Sequence, residues 1–270
     1  MVMMGSANAT QPLRISTAFR IDTTTRIIAI LLIVYAIYAS TQLGFSWTRF
    51  VSGLDNGAKF LHRMFPPDLS KGDILWKGIS ESLQIAVLAS LIGILLSLPI
   101  GLLGARNLMP GWVSWIARGF VSVCRSLHPV IVAILFVKAV GFGALAGILA
   151  LVVSSIGFIG KLFSEAIEEI SQKQVEAIRA TGASFMNVIV FGVLPQVLSR
   201  FIGFSTYQLD SNLRNSTMVG IVGAGGIGGA LFSAFQRFDY DFVLTILLSI
   251  IAIIVVGELL ANYVKKIFYV

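Results

Sequence analysis

Three stretches of this sequence set ionisable or strongly hydrogen-bonding residues among apolar ones, and each restricts the chemistry open to the chain. The first, Ile170 to Pro195, reads ISQKQVEAIRATGASFMNVIVFGVLP. It carries Lys173, Glu176 and Arg179, and a run of small residues closes on Gly182. With Glu165, Glu168 and Glu169 just upstream, more than a quarter of the acidic residues lie between Glu165 and Glu176. Charge is costly inside a bilayer, so this stretch predicts an aqueous loop of helical character that presents a surface to a partner. The second holds Asp210, Asn212, Arg214, Asn215 and Ser216, followed by the glycine-rich TMVGIVGAGGIGGALFSAF. Polar groups beside such a stretch predict backbone that lines a cavity or its mouth. The third sets Arg125, His128-Pro129 and Lys138 in an apolar run. Ionisable groups there face a cavity, a partner or an interface. Arg125 and Lys138 lie near its ends, so snorkelling is the alternative for both.

Catalysis finds no footing in these residues. No paired carboxylates and no Ser/His/Asp or Cys/His set converge, so no catalytic residue is assigned. Apart from Cys124, no second His or Cys stands near His128, which argues against a metal site. Gly223-x-Gly225-x-x-Gly228 fits a dinucleotide fingerprint but lacks the preceding strand, the amphipathic helix and the acid about 20 residues on. Gly160-Lys161 runs into Leu162 with no upstream glycine in register, so the chain has no P-loop for ATP.

The elements that must carry these residues are membrane helices. Of 270 residues 56% are hydrophobic and only 12% charged, against roughly a quarter charged in soluble domains. Mean hydropathy is +0.88, and several runs approach the ~20 residues that cross a bilayer as helix. The net charge of +7 reflects Lys and Arg beside spans, not a nucleic-acid surface, because no basic patch is interleaved with aromatics. The lone Cys124 predicts a buried core thiol.

In order, residues 1–25 form a polar tail, and Ile27 to Gly44 the first span, with a cleaved signal peptide as the alternative because Ala36 and Ala39-Ser40 are small. Residues 45–77 predict an extramembrane loop with a short amphipathic element between Trp47 and Trp76. Span two is Ile79 to Ala105, with Ala89, Gly93, Ser97 and Gly101 making one small face for close packing and Pro99 a kink. A connection over 106–120 leads to span three, Gly119 to Val140. A tight turn at Gly141-Phe142-Gly143 then leads to span four, Ala144 to Phe163. Glu169 and Lys173 are spaced as a helical ion pair, and Gly182 takes positive φ to re-aim the chain. Span five is Met186 to Tyr207, interrupted by Pro195 and Arg200, and span six is Phe242 to Val264. The fold class is therefore all-α, a polytopic membrane protein of about six transmembrane helices.

Glu176-Ala177, Gly182 and Leu194-Pro195 resemble the EAA loop of ABC importer permeases, whose pattern is Glu-Ala-Ala, three residues, Gly, nine residues, Ile-x-Leu-Pro. Two positions depart: Ile178 stands for the second Ala and Gly192 for the Ile. Over about residues 78–265 the chain is similar to the permease domain of type I importers, and Asp210 to Gly228 is similar to the phosphonate permease subfamily, with Asp210 where Glu is commoner.

The resemblance implies a MetI-like permease fold with a cytoplasmic tail at 1–25, a first transmembrane helix and periplasmic loop at 26–77, and a core at 78–270 whose cytoplasmic coupling loop spans about 163–195. It implies a multi-pass protein of the bacterial inner membrane, in contact with lipid and paired with a second copy of itself. The further partners implied are two ATP-binding subunits that hold ATP and Mg, a periplasmic or lipid-anchored substrate-binding protein, and a phosphorus oxyanion such as phosphonate, phosphite or phosphate. This chain itself needs no cofactor. Glu176, Ala177, Arg179, Gly182, Leu194 and Pro195 would couple to the ATPase. Arg125, Asn212, Arg214, Asn215 and Ser216 would offer charge-assisted donors along the path. For Arg214 an ion pair with Asp210, four residues earlier on one helix face, stands as the equal alternative. A secondary transporter or channel is the rival function, and a membrane-embedded scaffold a third. The first should show inverted sequence halves or a central carboxylate relay, and neither is found.

Overall fold

The computed structural model describes residues 23–44 and 46–268, and all regular structure among them is helical. Most of the polar tail expected at 1–25 lies outside the described residues. Two compact units divide the chain at Phe60 and Leu61. In the first, α1 (Thr23–Gln42) is apolar along its length with no buried residue. Helix α2 (Trp47–Arg63) sets Trp47, Phe50, Val51 and Leu54 on one face and Arg49, Asp55 and Lys59 elsewhere, which is the expected amphipathic element, here 17 residues long.

The second unit is built on α3 (Gly72–Gly104) and α6 (Ala144–Glu168). The predicted small face of α3 is buried at Ala89, Gly93, Ser97 and Gly101. A Cβ at Gly101 would stand 2.6 Å from Phe163 of α6, so these helices approach more closely than larger residues allow. Helix α3 runs through Pro99 without a break.

Span three differs from expectation. In place of one helix over 119–140 there are α4 (Gly111–Ser126) and α5 (Pro129–Val140), set at 91°. The residue before a proline is pushed out of the helical region, and His128 accordingly takes φ −67°, ψ 139°. Its side chain then caps α5, Nδ1 accepting from the Val130 amide at 3.3 Å. Most of the expected 106–120 connection is therefore helix. The two halves wrap α6: Cys124 lies against Gly157, while Val132 and Ala133 join the Ala146–Ala150–Leu151 core.

After α6 come a short α7 (Gln172–Ala180), a single turn α8 (Phe185–Asn187), a π-helical turn at Val188–Val193, and α9 (Leu194–Ile221). The chain closes with α10 (Ile227–Gln236) and α11 (Tyr240–Phe268). Span five is thus longer than expected: Asp210 to Ser216 lie inside α9, not after it. Proline sits in the first turn of α9, where no intrahelical donor is lost, so nothing stops the helix before Ile221. Among the described residues, five helices are long and apolar enough to cross a membrane, six when α4 and α5 count as one bent span.

Candidate functional site

Helix α7 is preceded by Ser171, whose backbone amide donates to Gln196 Oε1 at 3.0 Å. Gln196 also donates from Nε2 to the Gly192 carbonyl at 2.6 Å, so one side chain of α9 clips the start of α7 to the π-turn. Four residues on, Arg200 pairs with Glu169 at the end of α6. This corrects the expected Glu169–Lys173 pair: α6 ends at Glu168 and α7 starts afresh at Gln172, so the two residues share no helix face. Glu168 accepts from the Arg106 amide at 2.9 Å and meets Arg118 of α4 at 2.6 Å. Exposed ion pairs are individually weak, so the partly buried Gln196 clip and the Asn107 Nδ2 bond to the Ile167 carbonyl, 2.7 Å long, do more to hold this turn.

Beneath the turn lies an apolar cluster of Phe163, Ile167, Val175, Val188, Val193 and Val197. Val175 is fully buried, which at typical burial energies contributes about 1.5–2 kcal/mol to seating α7. Around the rest of the helix, Glu176, Ala177, Arg179 and Ala180 are exposed. Gly182 ends the element with φ 76°, as its position predicts, and its amide donates to the Arg179 carbonyl at 3.0 Å. Leu194 is half-buried and Pro195 exposed. The Leu194 amide donates to Ile189, five residues back. In a continuous α-helix the Pro195 ring would press on the Phe191 carbonyl, and the wider π-turn relieves that clash.

The second group is not a single site. Asn212 and Ser216 are fully buried. Asn212 Nδ2 donates to Ser90 Oγ and Ser155 Oγ, each at 2.9 Å, and its Oδ1 accepts from Gln208 at 2.9 Å. Gln208 also reaches Ser155 Oγ at 3.0 Å. This buried polar cross-link of α3, α6 and α9 was not expected, although serines on the small face and a glutamine four residues before Asn212 were its sequence trace. Ser216 donates to the Leu213 carbonyl at 2.8 Å, and Asn215 to Ser211 at 3.4 Å. Arg214 is exposed and paired with Asp210. Arg125 of α4 is exposed too, but the two cavities it lines include none of Asn212, Arg214, Asn215 and Ser216. As expected for the glycine-rich stretch, Gly220, Gly223, Gly225, Gly226 and Gly229 do line a cavity of about 560 Å³, with Lys77 and Arg237 on its wall.

The profile of the family described as "Binding-protein-dependent transport system inner membrane component" matches residues 97–268. The phosphate-import permease protein PhnE of Mycolicibacterium smegmatis is 38% identical over 86% of this chain. The chain spans only 44% of that relative's length. The phosphite transport system permease protein PtxC of Stutzerimonas stutzeri is 37% identical over 81% of this chain and 80% of its own. In fold, the chain superposes on a chain of the methionine ABC transporter MetNI in an inward-facing conformation with a TM-score of 0.65. That match has 24% identity and covers 73% of this chain and 97% of the other. With a family match over most of its core and a like arrangement of helices, the chain belongs to the inner membrane components of binding-protein-dependent transport systems, with the all-α fold of ABC importer permeases.

Proposed function

We propose that this chain is the membrane-spanning permease subunit of an ATP-driven importer for a phosphorus oxyanion, in the class of phosphonate, phosphite and phosphate. Two copies form the pore, two separate ATPase subunits hold ATP and Mg, and a substrate-binding protein delivers the anion at the other face. The observation that carries this reading is α7: a short helix seated through Val175 on Phe163 and Ile167 of α6, clipped by Gln196 of α9, and exposing Glu176, Ala177 and Arg179. A helix held in this way cannot shift without moving both neighbours, which is what coupling to an ATPase requires. The names of relatives similar along most of the core support the substrate class.

The test is reconstitution with the ATPase and binding subunits. Glu176→Lys places a cation on the exposed face and Gly182→Pro forces φ negative where it is 76°, so both should abolish co-purification of the ATPase and uptake together. Uptake that survives both variants, or that proceeds without any ATPase, would instead favour a secondary transporter. Competition among phosphonate, phosphite and phosphate for uptake ranks the substrates.

A further inference from the structure

Helix α4 has three faces. Ser114, Ala117, Val121 and Cys124 are buried against the core, while Trp112, Ile116, Phe120 and Val123 form an exposed apolar face. The third face carries Arg118, Ser122 and Arg125 at helical spacing, about 10 Å from first to last. Two arginines and a serine do not face hydrocarbon, so this third side borders water or protein. It borders a cavity of about 720 Å³ between α4 and α6, into which Arg106 and Lys161 also project. At about 30 Å³ per water, that volume takes a tetrahedral oxyanion with much of its hydration.

The cations on this wall are not equivalent. Arg118 is engaged by Glu168, and Lys161 by Glu165 at 3.4 Å. The Arg125 side chain has no hydrogen bond or ion pair among the described residues. It is also the residue that lines a second cavity, of about 340 Å³, at the break between α4 and α5. Gly157 makes this position possible: a Cβ there would lie 2.8 Å from Arg125 Cγ, so the arginine stem crosses α6 where no side chain stands. In this second cavity His128 Nδ1 accepts from Val130, which leaves the proton on Nε2 and a donor free for a ligand. The amide ends of α5 add the same sign of charge.

We infer that these two cavities, both lined by Arg125, form this chain's wall of the oxyanion conduit along its α7-side half, within the pore that two copies make. His128 and Arg125 receive the anion at mid-depth, and Arg125, Ser122 and Lys161 pass it toward the α7 face. The inference rests on the proposed function for the identity of the anion. It moves the path away from Asn212 and Ser216, whose donors are already spent within the protein. The chemistry recognised is a tetrahedral phosphorus oxyanion, and a phospholipid headgroup offers the same group.

The experiment uses the complete transporter in phosphatidylcholine vesicles, with uptake of inorganic phosphite and phosphate as readout. Arg125→Gln should lower uptake roughly tenfold or more, as removal of a charge-assisted hydrogen bond implies, and Arg125→Lys should recover most of it. Ser122→Asp, an exposed position with no partner to lose, should lower uptake comparably by placing a carboxylate in the path, with co-purification of the ATPase retained. Oxyanion uptake undiminished in both Arg125→Gln and Ser122→Asp overturns the conduit and leaves the proposed function standing. Wild-type uptake of another solute without any oxyanion uptake overturns the proposed function, and the conduit with it. The measurements are repeated with phosphatidylglycerol in the vesicles. A defect equal in both compositions supports the conduit, whereas one confined to anionic vesicles assigns the cavity to lipid headgroups and overturns it.

Discussion

Within the joint, the side chain of Ile178 occupies the space a larger residue at 192 would need, its Cδ1 lying 3.2 Å from where a Cβ on Gly192 would be. These are the two positions at which the loop departs from the EAA pattern, and they depart reciprocally: the small residue has become large and the large one small. Gly192→Ile alone should overpack the contact and cost about 1–3 kcal/mol. Combined with Ile178→Ala it should recover part of that loss, with an interaction energy of at least ~0.5 kcal/mol in a double-mutant cycle read by thermal unfolding of the purified protein. Gly182 tests different physics. A Cβ there meets nothing within 4 Å, so Gly182→Ala isolates the backbone cost of φ 76°, about 1–2 kcal/mol, in the same assay. The positive φ could be read from the sequence because a glycine closing a helical run needs no other information. The Ile178–Gly192 contact could not, because it depends on how tightly the π-turn folds back on α7.

Among the elements, α3, α6 and α9 are joined by the network of Ser90, Ser155, Gln208 and Asn212. Asn212→Ala removes its central member and leaves buried hydroxyl and amide groups short of partners, a loss of about 1–3 kcal/mol. The apparent melting temperature should fall by several degrees, while Asn215→Ala, half-buried with one long bond, should move it little. Apolar runs and small-residue spacing made most of these helices legible. Direction was harder to read. Hydropathy over 119–140 is continuous, yet His128-Pro129 turns the chain through 91°, and no count of apolar residues reports an angle. Conversely, the polar residues of α9 looked like a helix end, because their hydrogen bonds to neighbouring helices cannot be seen along one strip of sequence. Asn212 is the clearest case: its amide chemistry suits an oxyanion, but it spends it on Ser90, Ser155 and Gln208.

For the molecule as a whole, the end far from α7 is fastened by the loop before α3. The Asp68 amide donates to the Asp241 carbonyl at 3.3 Å, and Thr245 Oγ1 to the Asp68 carbonyl at 2.7 Å. Lys71 pairs with Asp239 and, at 3.5 Å, with Asp68. Bonds from Ser70, and after them the Lys71 charge, hold the Asp68 carboxyl below its ordinary value, so its contribution is present above that value and lost as pH falls through the lowered one. The hydrogen bond to Asp239 holds Lys71 above its ordinary value, so its contribution is present below that value and lost as pH rises through the raised one. Stability owed to this fastening should therefore be flat between about pH 6 and pH 9 and weaken only in strong acid or strong alkali, as a thermal-unfolding series would record. The cross-linking of α3, α6 and α9 has a mechanical consequence. Tied near mid-length by buried hydrogen bonds and keyed by Phe163 at Gly101, the three helices resist sliding and turn together as one lever. The 25 residues of α6 make an arm of about 37 Å, so a tilt of about 5° imposed at α7 sweeps the far end by roughly 3 Å, the width of a water molecule.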